Sequence, residues 1–369
     1  MHVTEIYLEN FRNYNNSTVR FSEGINVISG RNAQGKTNLL EAVCFLASGR
    51  SFRMASDKEL IKFDKDSSLI RASIVSGGRE QTLQARFFHG SRREILVNEV
   101  KLKKLSELAG RLTTVLFGPD DLNIVKAGAA VRRKLMDQCL SQLRPGYLAS
   151  LTEFNRLYDH KSRILRDYRE KPSLLELLDD FNLRLAQQSA RLIYYRSAFS
   201  DFLTQKAEEI HSEFSGKTEV LSIRYKTVGG MDHQGKKPEE LLPELLQHQK
   251  ERYQAELKSS MVLSGAHKDD LEIDINGTPA RKFASQGQAR TASVSIKMAE
   301  RDIHFDDRGE YPILLLDDVL SELDSKRQSF ILGRITNGQV LITCCDDVAV
   351  SNVPNGKIIK VEAGEIVGK

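Results

Sequence analysis

The chain has 369 residues, a formal net charge of +4, and 40% hydrophobic and 28% charged residues. This length exceeds one typical core, so we expect either one large domain with an insertion or two domains. The composition excludes a disordered chain. The four cysteines form no C-x-x-C pair, and no apolar run is long enough to cross a bilayer. These features predict a cytoplasmic protein with reduced thiols and no membrane partner.

The sequence pattern changes twice along the chain, from strand-like to helical and back. Strand-like segments lie at 3–8, 18–21, 25–29, 68–100, 271–275, 313–316 and 340–343. From about residue 128 to residue 258 the sequence instead forms long helical stretches rich in Leu, Arg, Gln and Glu. We therefore expect an α/β core formed by residues 1–127 and 259–369. An inserted helical arm at 128–258 splits this core.

A glycine-rich loop between a predicted strand and a predicted helix carries the first motif. The match to G-x-x-x-x-G-K-[ST] covers Gly30, Arg31, Asn32, Ala33, Gln34, Gly35, Lys36 and Thr37. The glycines let backbone N–H groups face phosphates, Lys36 neutralises their charge, and the Thr37 hydroxyl ligates Mg²⁺. A surface turn before a helix is the alternative. The motif predicts a nucleoside triphosphate site, with Lys36 among its catalytic residues.

An acidic pair follows a predicted buried strand at 313–316. Asp317 stands at the carboxyl end of that strand, and Asp318 follows it. A P-loop needs such a carboxylate to hold its metal, so we expect Asp317 to act through Mg²⁺. Asp318 is then the candidate general base that polarises the attacking water. A buried strand that ends in a turn of two Asp residues is the alternative.

Two further segments resemble motifs of the ABC-type ATPases. Ser285, Gln286, Gly287 and Gln288 precede a helix predicted to begin near Ala289, and they are similar to the S-G-G-Q signature. Ser285 and the backbone after it would form an anion site for the γ-phosphate bound by a second protomer. A simple Ser N-cap predicts the same pattern. The segment that ends at Asp324 resembles the D-loop, which is expected at a dimer seam.

Together these motifs resemble the RecF family of bacterial DNA-repair ATPases, which are related to the structural-maintenance proteins of chromosomes. The resemblance is carried by residues 8–14, 30–38, 117–122, 132–133, 265–270, 285–290 and 316–324. It implies an ABC-type P-loop ATPase head with a mixed β core and helices, split by the helical arm. It also adds Asn38 and Asp324 to the nucleotide site.

The resemblance further implies a cytoplasmic protein that binds ATP and Mg²⁺ and forms an ATP-dependent homodimer. Such a protein binds single- and double-stranded DNA and their junctions, and helps RecO and RecR load recombinase at gaps. Asp318 stands where most ABC-type members have Glu, which predicts slow hydrolysis. The switch histidine of that class is missing, since His304 is the last histidine in the chain. Thr343, Cys344 or Cys345 is then the candidate for its role.

Three other functions fit part of the pattern. An ABC-type subunit that powers a membrane transporter would share the motifs, but the long helical insertion and the Asp–Asp pair argue against it. A small-molecule kinase would leave the signature-like segment without a purpose. A scaffold with a structural ATP site is the third. For DNA, two basic segments are candidate surfaces: residues 92–104, and residues 132–171 with ten Lys/Arg against five Asp/Glu.

Overall fold

The computed structural model describes residues 1–53, 56–345 and 356–367. Its strands are β1 His2–Glu9, β2 Asn16–Arg20, β3 Ile25–Ser29, β4 Ser67–Ser76, β5 Arg79–Phe88, β6 Glu94–Val97, β7 Val100–Lys101, β8 Thr114–Phe117, β9 Leu221–Lys226, β10 Asp270–Ile275, β11 Thr278–Pro279, β12 Ile313–Asp317, β13 Val340–Cys344, β14 Lys357–Glu362 and β15 Glu365–Val367. Its helices are α1 Lys36–Ser48, α2 Ala129–Leu143, α3 Pro145–Asp167, α4 Leu178–Ser215, α5 Pro238–Ser259, α6 Ala280–Phe283, α7 Gln286–Arg308 and α8 Ser325–Arg334.

The first compact unit comprises Met1–Asn123 and Arg290–Lys369. Its central sheet has the order β15-β14-β3-β13-β12-β8, in which β14, β3, β13, β12 and β8 run parallel. Every residue of β12 and β13 is buried, as expected for parallel strands that are covered on both faces. The two strands with the most continuous apolar runs therefore lie in the interior of this sheet.

A second sheet of the same unit is antiparallel, with the order β2-β1-β4-β5-β6-β7. Apolar residues alternate along β1 and β4, and those on the inner face join the buried core together with α1. Phe45 of α1 meets Phe87 of β5 edge to face, with ring centroids 4.9 Å apart. Packing in this core therefore fixes the position of helix α1, which directly follows the P-loop.

The second compact unit comprises Ile124–Ala289 and holds α2 to α6 with a small sheet of order β11-β10-β9. The Asn276–Gly277 turn has φ of 50° and 72° and joins β10 to β11 as a tight hairpin. The second unit therefore extends to Ala289, whereas the predicted helical arm ends at residue 258. The reason is that β10 pairs along its length with β9, so residues 270–275 belong with the helical unit.

A buried ion-pair network ties the second unit together. The Arg196 guanidinium donates from Nη1 to Asp269 Oδ2 at 2.9 Å and from Nη2 to Asp137 Oδ1 at 2.8 Å. Asp269 also accepts from the Val228 N–H at 3.1 Å and from the Tyr225 hydroxyl. Arg196 is 3% exposed and Asp269 is fully buried, so each charge depends on the other for compensation.

Some of the basic residues expected at a DNA surface have internal roles instead. Arg132 is 3% exposed and donates to both carboxylate oxygens of Asp270 at 2.7 and 2.9 Å. Lys161 is fully buried and lies 2.6 Å from the Glu256 carboxylate. These two cations stabilise the helical unit and are not available to DNA. Their partners are distant in sequence, which is why local charge counting misplaced them.

His267 makes the stability of the second unit depend on pH. Its ring packs against Phe154 and Tyr158, and Nε2 donates to the Val262 carbonyl at 3.0 Å. Burial is the main reason that the pKa of His267 falls to about 4, so the folded chain keeps it neutral. The unfolded chain takes up a proton near pH 6.5, and stability is therefore lost as the pH falls below that value.

We expect acidification from pH 7.5 to pH 5.5 to cost the wild type about 1 kcal/mol more than it costs His267→Gln. The measurement is the free energy of urea unfolding of both proteins at both pH values. Other titrating groups are common to the two proteins and cancel in the difference. An identical pH dependence of the two proteins would show that His267 is not the responsible group.

Candidate functional site

The register of the parallel sheet brings the predicted site residues of the first unit together. Strand β13 lies between β3 and β12, with Asp317 opposite Thr343 and Cys344 opposite Ser29. The carboxyl ends of the three strands therefore meet at one edge of the sheet, where open α/β folds bind their ligands. The P-loop, the acidic pair and the end of β13 all lie at this edge.

The loop from Gly30 to Gly35 is held in a strained shape by its neighbours. Gly35 has φ of 118°, and a Cβ there would lie 2.8 Å from Asn13 Nδ2, so only glycine fits. Asn13 Nδ2 donates to the Gln34 carbonyl at 2.8 Å, and the buried Tyr14 hydroxyl donates to the Gly35 carbonyl at 3.0 Å. Two side chains from the turn after β1 thus brace the loop from outside.

Lys36 is 4% exposed, and its ammonium lies inside the curve of the loop. Nζ donates to the Gly30 carbonyl at 2.7 Å and to the Arg31 carbonyl at 3.0 Å. A buried ammonium needs such partners, since an unpaired charge is costly. The side chain is in place to meet an anion that enters the loop.

Thr37, Asp317 and Thr343 form a compact polar cluster. The Thr37 hydroxyl donates to Asp317 Oδ1 at 2.9 Å, and the Thr343 hydroxyl lies 2.9 Å from the same oxygen. Burial raises the pKa of Asp317, and the two hydroxyl contacts oppose that rise. Two oxygens of the predicted metal site are therefore already adjacent.

Asp318 has an unusual backbone conformation next to this cluster. Its φ is 52°, in the left-handed region that non-glycine residues rarely adopt. The Asp318 N–H donates to Thr343 Oγ1 at 2.8 Å, which holds the residue there. Strain of this kind is often kept at functional sites, and here it accompanies the predicted general base.

Cys345 is the member of the site that the sequence placed least well, as one of three candidates after the last core strand. Its Sγ lies 3.5 Å from Lys36 Nζ and 3.7 Å from Asp318 Oδ1. It also approaches Asn32 Oδ1 at 2.8 Å. Thr343 instead contacts both members of the acidic pair. Two of the candidates for the role of the switch histidine therefore have different contacts: Cys345 lies beside Lys36, and Thr343 contacts the two carboxylate residues.

The signature-like segment lies in the second unit, where it forms a helix cap. Ser285 Oγ accepts from the Gln288 N–H at 3.1 Å, and Gln288 Oε1 accepts from the Ser285 N–H at 2.9 Å. This reciprocal pair is a capping box, and it starts α7 at Gln286, three residues before the predicted start near Ala289. Ser285 and Gln286 are exposed at the cap, and Gly287 follows them.

Asp324 and Asn38 also have partners within the chain. Asp324 is the N-cap of α8, where its carboxylate accepts from the Arg327 N–H at 2.9 Å. Asn38 donates to Asn13 Oδ1 at 2.8 Å and accepts from Arg53 Nη1 at 2.8 Å. Both side chains therefore stabilise local structure.

The sequence motifs did not identify Arg12 as part of the support for the site. Its guanidinium donates to both oxygens of Glu41 at 2.9 and 2.7 Å, and Glu41 is fully buried in α1. Bidentate pairs of this kind fix orientation as well as charge. The signal was present in the resemblance, because Arg12 belongs to the segment 8–14 that carries it.

The residues at this edge fit a nucleoside triphosphate with Mg²⁺. A glycine loop precedes the N-terminus of the 13-residue helix α1, where backbone N–H groups and the helix dipole favour an anion. Lys36 supplies a buried cation, and Thr37 and Asp317 supply the hard oxygen atoms that Mg²⁺ prefers. The fold and this set of donors define an ABC-type P-loop ATPase head.

Comparison with known proteins agrees with that class. A family model described as the RecF/RecN/SMC N terminal domain matches residues 2–366. A DNA replication and repair protein RecF from Acetivibrio thermocellus is 37% identical, with 99% of each chain covered. One from Clostridium acetobutylicum is 36% identical, with 97% of this chain and 99% of that protein covered. The chain belongs to the RecF family.

Solved structures show the same relationship. The recombination mediator protein RecF-ATPrS of the RecFOR pathway has a TM-score of 0.91 and 34% identity, covering 99% of this chain and 97% of that one. The Smc head domain from Pyrococcus furiosus has a TM-score of 0.56 at 16% identity, and it shows a shared fold alone. In the described residues no helix combines the length and apolar character needed to cross a membrane. Nothing in these comparisons supports the transporter alternative.

Proposed function

We propose that this chain is an ATP-dependent DNA-binding protein of recombinational repair and replication-gap processing. The observation that carries the proposal is the meeting of Lys36, Thr37, Asp317 and Asp318 at one edge of the parallel sheet. Support comes from the relatives of similar length named DNA replication and repair protein RecF, and from the structure named RecF-ATP at 34% identity.

ATP would bind with its phosphates in the P-loop, where Lys36 exchanges its two carbonyl partners for phosphate oxygens. The nucleotide contacts extend over residues 30–38. Thr37 and Asp317 would hold Mg²⁺, which supplies charge neutralisation for the phosphates when it is bound. Asp318 would take a proton from the attacking water. Its carboxylate is one methylene shorter than the usual Glu, so we expect weak ATPase activity that acts as a timer. We further propose that DNA stimulates this activity.

The remaining part of the site would come from a second copy of the chain. Ser285, Gln286, Gly287 and Gln288 form an exposed helix start in the second unit, and such a start favours anions. We propose that this segment and Asp324 complete the nucleotide site of the partner protomer. Dimerisation would then require ATP, and hydrolysis would release DNA held by the dimer.

Ser285→Asp tests this arrangement without removing the cap of α7. Asp is as good an N-cap as Ser, but its charge repels a γ-phosphate. We expect wild type to shift to a dimer on adding ATP in sizing experiments, and Ser285→Asp to stay monomeric at the same ATP concentration. Ser285→Asn is the matched control, because it keeps the cap and stays neutral. Dimers that form equally in all three proteins would rule out a role for this segment.

Single- and double-stranded DNA and their junctions are the proposed ligands, and RecO and RecR are the proposed partners by membership of the family. Affinity should come mainly from phosphate contacts, so it should fall steeply with salt and depend little on base sequence. The measurement is the fraction of gapped DNA bound by the protein, with ATP present, at a series of salt concentrations. Binding that stays constant from low to moderate salt would contradict the proposal.

A further inference from the structure

An open cavity of about 510 Å³ in the second unit is lined by three cationic side chains. Lys226 ends β9, Arg252 lies on α5, and Lys268 ends the short turn before β10. No acidic residue lines the cavity within the described part of the chain. Lys268 belongs to the segment 265–270 that carries the family resemblance, and the ATP site gives it no role.

The cations around this cavity are incompletely paired. Lys226 Nζ lies 2.8 Å from Glu272 Oε1, at an exposed position. Arg252 and Lys268 are both exposed, and neither side chain has an ion pair or hydrogen bond to any residue that the structure describes. Like charges gathered around one cavity repel each other, and an anion bound among them would relieve that repulsion.

The backbone beside the cations is shaped to leave the cavity open. Gly229 has φ of 70°, and a Cβ there would lie 2.9 Å from His248 Cδ2, so the loop can approach the ring only with glycine. The Ser264 hydroxyl lies 2.7 Å from His248 Nδ1 and fixes the ring orientation. The His248 Nε2 atom is therefore directed towards the glycine turn.

We propose that this cavity binds a phosphate group of the DNA backbone; the inference rests on the proposed function. An Arg fork together with a Lys ammonium suits phosphate oxygens. Among the described residues the lining includes no Phe, Tyr or Trp, and its one aromatic ring, that of His248, lies against the Gly229 turn, so a nucleotide base would find little surface for stacking. The cavity thus recognises the backbone and positions DNA without reading its sequence.

The test is the double variant Arg252→Ala with Lys268→Ala. We expect its affinity for gapped DNA at moderate salt to fall about tenfold, with a salt slope smaller by about one. The matched control is Lys250→Ala with Lys258→Ala, which removes two exposed cations of α5 outside the cavity. That control should lose clearly less affinity. Thermal melting checks that both double variants fold.

Free nucleotide is the other source of phosphate, and a second arm separates it from DNA. Binding of ATP, in the absence of DNA, should be equal in wild type and in the Arg252→Ala, Lys268→Ala variant. Lower ATP affinity with unchanged DNA affinity would overturn the inference and assign the cavity to nucleotide.

Chemical footprinting of the wild-type chain avoids any folding defect. Acylation of lysines by an N-hydroxysuccinimide ester, read by mass spectrometry, should slow several-fold at Lys268 when DNA is added and stay constant at Lys250. A wild type that does not retain DNA at low salt defeats the proposed function, and the inference with it. Retained DNA with unprotected Lys268 and equal salt slopes defeats the inference alone.

Discussion

Replacement of Asp318 by Asn is expected to lower the turnover of ATP by about 10²- to 10⁴-fold, the range for loss of a positioned general base. Asn has the same size and tolerates the left-handed φ of 52° that Asp318 adopts. Its backbone N–H can still donate to Thr343 Oγ1. The site should therefore stay folded and bind ATP, while the attacking water lacks a base.

The measurement is steady-state phosphate release, together with ATP binding by equilibrium titration. We expect the affinity for ATP to change little. We also expect the proposed ATP-bound dimer to hold DNA for longer, because its release of DNA depends on hydrolysis. Asp64→Asn is the matched control, since Asp64 is exposed and has φ of 61°. Turnover of Asp318→Asn within a few-fold of wild type would remove the residue from the catalytic role.

Replacement of Arg196 by Met is expected to destabilise the second unit by about 3–5 kcal/mol, the usual cost of leaving a buried charge without its partner. Asp269 is fully buried and would lose its guanidinium donor, and Asp137 would lose a contact of 2.8 Å. Met fills much of the volume of Arg, so a cavity contributes little. The free energy of unfolding in urea measures the effect.

Arg191→Met is the control for this change, because Arg191 is an exposed residue of the same helix α4. Its effect should stay within about 0.5 kcal/mol. Adding Asp269→Asn to Arg196→Met should recover part of the loss, since no buried charge is then unpaired. A loss below about 1 kcal/mol in the single variant would show that the network does not hold the unit together.

The sequence predicted the parts of the site that depend on local chemistry. The P-loop, the acidic strand and the helix after the loop were each readable from a short segment, because glycine, lysine and buried apolar runs have local signatures. The meeting of Asp317 with Thr37 is different, since it depends on β13 lying between β3 and β12. Strand order is set by long-range packing, which no short segment contains.

Charge was the least informative part of the sequence. Arg132 and Lys161 looked like members of a DNA surface, but they neutralise Asp270 and Glu256 inside the fold. Asp269 and Asp270 lie in the segment 265–270 that carries the resemblance, where Asp269 pairs with Arg196 in the interior and the partly exposed Asp270 pairs with Arg132. The partners in each pair are far apart along the chain, so only the tertiary structure joins them.

The signature-like serine shows how one pattern can have two meanings. Ser285 was compatible with an anion site or with a simple N-cap, and the capping box with Gln288 is present. The hydroxyl lone pairs and the exposed helix start leave room for an anion as well, so the cap is compatible with an anion site at Ser285.

The bracing of the P-loop by Asn13 and Tyr14 has a consequence for the stability of the proposed dimer. A loop that is already held in its bound shape loses little conformational entropy when a ligand arrives. The hydrogen bonds to the Gln34 and Gly35 carbonyls make that ordering part of folding. More of the free energy of ATP binding is then available for the proposed contact between protomers. Loosening the brace should therefore weaken nucleotide binding directly and, through it, the ATP-dependent dimerisation.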